Sequence, residues 1–142
     1  SQKTVRKVTI SWLQEQLTLN MLWTTCLVEE LIRCNVCNFV ICPGSRSTPI
    51  VVAIQRSNRT RWVVNHDERS GAYQALGWAK GSNLPVAIVV TSGTAVANLL
   101  PAAVEASMSQ IPLLMLTADR PAELRDTGSN QTIRQTGIFS SQ

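Results

Sequence analysis

Short apolar runs alternate along the chain with longer stretches in which apolar residues recur every three or four positions. A short continuous apolar run is typical of a strand buried on both faces, whereas the longer period is typical of a helix. The runs predict four strands, over residues 39–42, 61–65, 85–90 and 111–116. Pro43 and Gly44 follow the first run directly and should end that strand.

The stretches between these runs predict four helices, over residues 21–33, 48–55, 68–80 and 95–107. In the first helix, Trp23, Leu27 and Leu31 recur every four residues, with Val28 and Ile32 beside them. These residues should form its apolar face. Asn20 precedes that helix and suits the N-cap position. Pro101 lies inside the fourth helix, where its missing N–H should produce a kink.

Strands that alternate with helices of this length indicate βαβ units, so the expected fold class is α/β, with a parallel sheet covered by helices on both faces. The expected domain covers residues 20–142, and its last part, 122–142, is polar with little periodicity. Residues 1–19 are basic up to Lys7 and are expected to be an extension or linker. The chain begins with Ser1 rather than Met and is expected to be part of a longer multi-domain enzyme.

Composition excludes several classes of protein. Of the 142 residues, 44% are hydrophobic, which is too many for a disordered chain. No apolar run approaches the roughly 20 residues of a membrane helix, so no membrane span is expected. The net charge is only +4, and the aromatic residues are scattered rather than interleaved with a basic stripe. Nucleic acid is therefore not an expected partner, whereas small anionic ligands suit this charge.

Four cysteines lie close together in the chain, at positions 26, 34, 37 and 42. Cys34 and Cys37 form a C-x-x-C pair, which could be redox-active or half of a zinc site, and its role stays open. Cys26 falls on the apolar face of the first predicted helix, and Cys42 ends the first strand, so both should be small core residues. Free thiols indicate a soluble protein in a reducing, intracellular compartment, and no metal site is predicted.

Polar and turn-forming residues follow every predicted strand, over 42–47, 65–68, 91–94 and 117–121. Parallel strands end at the same edge of their sheet, and ligands of such folds bind beyond that edge. The four segments should therefore converge on one site.

No phosphate-binding motif of the P-loop or dinucleotide type occurs in the chain. The segment 92–94 begins a predicted helix and could still bind an anion weakly through backbone N–H groups. His66 is the only histidine, and Cys42 is the only cysteine at the same edge. A Cys–His nucleophile pair is therefore one alternative, although a weak one.

Three charged residues at strand ends allow both an ordinary and a functional interpretation. Glu68 could simply favour the positive end of a helix dipole, or it could be a functional carboxylate. Arg46 and Arg120 follow different strands and could be surface residues. Together they could also bind carboxylates through bidentate hydrogen bonds.

Six segments, at 43–49, 66–69, 75–77, 91–99, 117–121 and 130–135, carry a family resemblance. They read Pro-Gly-Ser-Arg-Ser-Thr-Pro, His-Asp-Glu-Arg, Ala-Leu-Gly, Thr-Ser-Gly-Thr-Ala-Val-Ala-Asn-Leu, Thr-Ala-Asp-Arg-Pro and Asn-Gln-Thr-Ile-Arg-Gln. In this order they resemble the N-terminal, pyrimidine-binding domain of the thiamine-diphosphate-dependent SEPHCHC synthases of menaquinone and phylloquinone biosynthesis. The likeness runs from about residue 20 to 140, and the first and fifth segments together are its most specific part.

The resemblance implies a catalytic and cofactor-binding role for Glu68. In the family, the matching glutamate hydrogen-bonds a ring nitrogen of the aminopyrimidine of thiamine diphosphate and promotes the tautomer that removes the C2 proton. The cofactor then acts as the electron sink while 2-oxoglutarate loses carbon dioxide and the succinyl unit adds to isochorismate.

The resemblance also implies the remaining site residues. The positions that match substrate contacts of the family are Ser45, Arg46, Arg120, Asn130 and Gln131. Both substrates are dicarboxylates, so paired arginines suit them. Thr91 and Thr94 lie in the segment that resembles the cofactor-side loop.

One departure from the family pattern concerns the diphosphate. Family members bind it through Mg²⁺ on a second domain with a Gly-Asp-Gly…Asn motif, and none of the seven glycines here belongs to such a motif. The resemblance therefore implies half a site, completed by the diphosphate domain of another subunit in a homo-oligomer, a dimer or a tetramer. The isolated chain should then be inactive.

Two alternatives stay open from the residues: another thiamine-diphosphate carboligase or decarboxylase, and a non-catalytic binding module derived from one. The expected compartment is the cytoplasm in a bacterium, or a plastid or peroxisome in a photosynthetic eukaryote.

Overall fold

The computed structural model describes residues 18–140. The expected extension over 1–19 lies outside these residues except for its last two positions, and so do residues 141 and 142 of the expected domain.

The described residues form an alternation of helices and strands. In chain order these are α1 (Leu19–Arg33), β1 (Asn38–Ile41), α2 (Thr48–Arg56), β2 (Arg61–Val64), α3 (Glu68–Ser82), β3 (Val86–Val90), α4 (Thr94–Ala97), α5 (Leu100–Met108) and β4 (Leu113–Thr117). Two single 3₁₀ turns, Ser45–Ser47 and Ala122–Leu124, follow β1 and β4. All four predicted strands are therefore confirmed, with ends that differ by one or two residues.

The four strands form one sheet in the order β2-β1-β3-β4, and every pairing is parallel. Ile41, at the end of β1, lies opposite Val64 on one side and Val89 on the other. From β1 the chain first adds β2 on one side and then crosses to add β3 on the other. The predicted α/β fold class is confirmed.

Helices cover both faces of the sheet, because alternate residues of β1 and β3 point to opposite sides. On one face, Phe39, Ile41 and Val89 pack against α1 and α2. On the other, Val40 and Ile88 pack against the alanine-rich α3 and against α5. Small residues on α3 let that helix approach the sheet closely. No helix among residues 18–140 is long and apolar enough to cross a membrane.

The start of α1 corrects two expectations. Thr18, rather than Asn20, is the N-cap, and its hydroxyl accepts a hydrogen bond from the Met21 N–H at 3.2 Å. The buried positions of α1 are Thr24, Val28 and Ile32, whereas Trp23 is 62% exposed. Val28 and Ile32 of the predicted apolar face are therefore confirmed as buried, whereas Trp23 lies outside the face that meets the sheet and α2.

The predicted helix over 95–107 is two separate helices, so the chain is interrupted near Pro101 rather than only kinked there. α4 ends at Ala97, and α5 begins at Leu100 with Pro101 as its second residue. Proline has no N–H to donate and its ring clashes with the preceding turn, so it favours the start of a helix over its interior.

Candidate functional site

The carboxyl ends of the four strands lie along one edge of the sheet, as predicted. The point where the strand order reverses lies between β1 and β3, which are neighbours although β2 separates them in the chain. At such a point the connections leave in opposite directions and open a crevice at the sheet edge, where α/β folds bind their ligands. Residues 42–47 leave β1 there, and residues 91–94 leave β3.

Gly44 and Thr91 meet at this crevice. A Cβ atom on Gly44 would lie 2.4 Å from the Thr91 Cβ, so only glycine fits at position 44 with the backbone in this place. Thr91 is 5% exposed, and its hydroxyl oxygen is buried with no hydrogen-bond partner among the described residues. An unpaired buried hydroxyl is costly, so the site offers this group to a polar ligand.

Two adjacent carboxylates at the start of α3 have different surroundings. Asp67 is the N-cap, and its Oδ2 accepts a hydrogen bond from the Ser70 N–H at 2.9 Å. Hydrogen bonds from the Ser70 backbone and side chain lower the pKa of Asp67. Glu68 is the first residue of the helix and is half-buried. Its carboxylate makes no hydrogen bond or ion pair within residues 18–140, so it stays available to a ligand.

Cys42 lies beneath the first turn of α3 and is buried, as predicted. A Cβ on Gly71 would lie 2.8 Å from its Sγ, so the helix needs glycine there to approach the thiol. Burial, followed by the negative charges of Glu68 and Asp67, raises the pKa of the Cys42 thiol to about 12. The thiol is therefore protonated near neutral pH, which argues against the Cys–His nucleophile alternative.

The structure brings four of the five predicted substrate-binding residues together. Arg120 Nη2 donates to the backbone oxygen of Asn130 at 2.7 Å. Arg46 Nη2 lies 3.4 Å from the same oxygen, and Arg46 Nη1 donates to Oε1 of Gln131 at 2.9 Å. The Nε of Arg120 is buried without a hydrogen-bond partner in the part of the chain that the structure describes. Two guanidinium groups from non-adjacent strands thus share one carbonyl oxygen.

Residues 130–135 reach this position because polar contacts tie them to the ends of β3 and β4. Ser92 Oγ donates to the Gln131 backbone oxygen at 2.9 Å. The Gly93 N–H donates to Gln135 Oε1 at 2.8 Å, and Gln135 Nε2 donates to the Ala118 oxygen at 2.9 Å. Weak anion binding at residues 92–94 stays a prediction, although the Gly93 N–H is already engaged and α4 has only four residues.

Ser92 and Gln135 were not predicted as site residues. Both lie within segments that the sequence had singled out, but neither is charged, and a serine or glutamine in a loop carries no signal for a contact 39 or 42 residues away.

Ser45 and Thr94 stand apart from the arginine cluster. Ser45 is exposed in the turn after β1 and lines a groove of about 480 Å³ with Trp62 and Val64 of the edge strand. Thr94 is exposed at the first residue of α4. Among the described residues, no hydrogen bond joins either side chain to the arginines.

The remaining cysteines form no disulfide, and the role of Cys34 and Cys37 stays open. All four are free, and Cys34 is exposed while Cys37 is half-buried. Cys26 is exposed, so the expectation that it is a core residue was wrong, since the face of α1 that meets the core is the one bearing Val28. Between residues 18 and 140, no group of three His, Cys, Asp or Glu side chains could hold a metal ion.

Comparison with known families matches residues 21–138 to the thiamine pyrophosphate enzyme family, in its N-terminal TPP binding domain. The match includes every strand and every site residue described above.

Three similar curated proteins share the name 2-succinyl-5-enolpyruvyl-6-hydroxy-3-cyclohexene-1-carboxylate synthase. The protein of Rubrobacter xylanophilus is 58% identical over 120 residues, which are 84% of this chain and 21% of the relative. The protein of Salinibacter ruber is 59% identical over 118 residues, which are 83% of this chain and 20% of the relative. The protein of Prosthecochloris aestuarii is 53% identical over 123 residues, which are 87% of this chain and 21% of the relative. The chain thus spans about a fifth of the length of the curated relatives it matches.

Proposed function

Because the chain belongs to the thiamine pyrophosphate enzymes, as an N-terminal TPP binding domain, we propose that it supplies the pyrimidine-binding half of a SEPHCHC synthase. The proposed reaction is the decarboxylation of 2-oxoglutarate and the addition of its succinyl unit to isochorismate. The relatives' shared name and the identity of 51% or more support this assignment.

The crevice residues fit the aminopyrimidine of thiamine diphosphate. Glu68 offers an uncommitted carboxylate, and Thr91 offers a buried hydroxyl that lacks a partner. When bound, the cofactor supplies the electron sink that decarboxylation needs. Glu68 would share a proton with a ring nitrogen of the pyrimidine, and Gly44 lets the backbone after β1 pack directly against Thr91 at the same crevice. Thr94 is proposed to bind from the same loop.

The arginine pair is the observation that carries the substrate assignment. Arg46 and Arg120 converge on one carbonyl oxygen, although β3 lies between the strands that they follow. Two guanidinium groups held side by side repel each other unless an anion binds between them, and a carboxylate suits their planar hydrogen-bond donors. Ser45, Asn130 and Gln131 are proposed to complete the contacts to the two dicarboxylates.

The rest of the site is proposed to come from outside this domain. Mg²⁺ and the diphosphate would be held by a second domain, contributed by another subunit of a homodimer or homotetramer. The arginine pair favours a dicarboxylate carboligase over a thiamine-diphosphate enzyme for monocarboxylate substrates.

Replacement of each arginine in the full-length protein tests this proposal. Arg46→Ala or Arg120→Ala removes a charge-assisted contact of about 1.5–3 kcal/mol, so kcat/KM for 2-oxoglutarate or isochorismate should fall by roughly ten- to over a hundred-fold. Arg46→Lys and Arg120→Lys should retain only part of the wild-type kcat/KM, because a point charge cannot replace a bidentate contact.

Arg56→Ala is a matched control, since Arg56 is an exposed arginine in the last turn of α2, away from the strand ends. It should leave kcat/KM unchanged. Full activity in both lysine variants, or equal use of pyruvate and 2-oxoglutarate by the unmodified protein, would contradict the proposal.

A further inference from the structure

We propose that Gln135, with Ser92 beside it, is a positioning residue that aligns Arg46 and Arg120 for a substrate carboxylate. The inference rests on the proposed function, because it assumes that the two arginines bind the dicarboxylates. Neither residue contacts the carboxylate in this proposal. They act by holding the backbone of residues 130 and 131, to which both arginines are hydrogen-bonded.

Gln135 uses both ends of its side-chain amide to join two strand ends. Its Oε1 accepts from the Gly93 N–H after β3, and its Nε2 donates to the Ala118 oxygen after β4, at 2.8 and 2.9 Å. The side chain is half-buried, so water competes poorly for these two bonds. A residue with only a donor or only an acceptor could make one of them but not both.

Ser92 holds the same segment at a second point, Gln131, which lies four residues before Gln135. Its side chain is fully buried, and its Oγ donates to the Gln131 backbone oxygen at 2.9 Å. Gly93 packs directly against that backbone, because a Cβ at this position would lie 2.7 Å from the same oxygen. Gln131 itself has a positive φ of 57°, which non-glycine residues rarely adopt, so surrounding contacts must hold it.

These hydrogen bonds matter because the two arginines carry only donors and cannot hydrogen-bond each other. Arg46 follows β1 and Arg120 follows β4, and their shared acceptor is the Asn130 oxygen. If residues 130 and 131 moved, each guanidinium would lose its acceptor, and Arg46 would also lose the Gln131 amide. Like charges would then move apart, and the bidentate geometry for a carboxylate would be lost.

The test measures glutarate binding by calorimetry to the full-length protein. Glutarate is an unreactive five-carbon dicarboxylate, so its affinity reports the arginine site without catalytic turnover. Gln135→Met keeps the side-chain length and removes both hydrogen bonds, and it should weaken glutarate binding about ten-fold or more. Ser92→Ala, a smaller change, should weaken it less but in the same direction. Gln110→Met, at an exposed glutamine near the opposite end of β4, should have no effect.

A double-mutant cycle separates positioning from a general loss of structure. In an Arg46→Met, Arg120→Met background, Gln135→Met should cause little further weakening, because it acts only through the arginines. The inference is overturned if Gln135→Met weakens glutarate binding as much in the arginine-free background as in the unmodified protein. It is also overturned if Gln135→Met and Ser92→Ala both bind glutarate with wild-type affinity. If Gln135→Met fails to fold, Ser92→Ala alone carries the test in the same cycle. If the arginine variants bind glutarate as tightly as the unmodified protein, the proposed function fails first and this inference falls with it.

Discussion

Two neighbouring carboxylates show how the surroundings of a residue determine whether its side chain is free to bind a ligand. Asp67 and Glu68 are adjacent in the chain, yet Asp67 is engaged as a helix cap, while the Glu68 side chain makes no hydrogen bond or ion pair within the described residues. Because the Asp67 carboxylate already accepts a hydrogen bond from the Ser70 N–H, it has less capacity to bind a ligand. We therefore propose Glu68, rather than Asp67, as the carboxylate that handles a proton.

Glu68→Gln in the full-length protein should slow exchange of the thiamine C2 proton by about 10²–10⁴-fold, as expected when an acid–base group is lost. Glutamine keeps the shape of the side chain but cannot take up or share the proton. NMR of hydrogen–deuterium exchange at C2 measures this step directly.

Glu123→Gln is the control for that measurement, because Glu123 is an exposed glutamate that also lies in the first turn of a helix. Its replacement should leave the exchange rate unchanged. Unchanged exchange in Glu68→Gln itself would remove Glu68 from the mechanism, whatever happens to the overall rate.

At the scale of elements, the helix ends decide where the site residues point. α3 begins at Glu68 because Asp67 caps it, and this cap fixes the direction in which the glutamate leaves the helix. α4 begins after Gly93, whose φ of 77° favours glycine, and Pro101 starts α5 instead of continuing α4. Proline and the capping carboxylate are visible in the sequence, which is why most element starts were predicted to within two residues.

Asp67→Asn should destabilise the protein near neutral pH, with a difference that narrows in acid. The pKa of Asp67 is lowered in the folded state, so its charged form contributes stability above the unfolded pKa of about 3.8. That contribution is lost as the pH falls through the still lower folded pKa. Asparagine can accept the Ser70 hydrogen bond but carries no charge for the helix dipole.

Urea unfolding of both proteins between about pH 7 and pH 3 checks this prediction. The free energy of unfolding should differ by a constant amount above about pH 5, and the gap should shrink below about pH 4. A gap that instead widens in acid would contradict the assigned role of the Asp67 charge.

For the whole molecule, the strand order β2-β1-β3-β4 matters most for function. It places the ends of β1 and β3 side by side, and the segment 130–135 then crosses from β3 to β4 and draws the arginines together. The described domain contains the residues proposed to bind the pyrimidine, while no Gly-Asp-Gly motif for a diphosphate site occurs in the 142 residues.

The isolated 142-residue chain should therefore not turn over 2-oxoglutarate, and it should bind thiamine diphosphate weakly or not at all. Calorimetry with and without Mg²⁺ measures the binding, and the full-length protein under the same conditions is the positive control. Mg²⁺-dependent micromolar binding by the isolated chain would show that it holds the diphosphate itself.

The α/β class, the four strands and the edge at which they place polar residues could be read from the sequence, because hydrophobic period and turn residues are local properties of the chain. Strand-end position made Glu68, Arg46 and Arg120 candidates, and the family resemblance gave each of them an expected role. Packing between distant elements set the strand order, the exposure of Trp23 and Cys26, and the meeting of both arginines at the Asn130 oxygen. The contacts of Ser92 and Gln135 join residues that are distant in the chain, and no local pattern encodes which donor will meet which acceptor once the strands have packed.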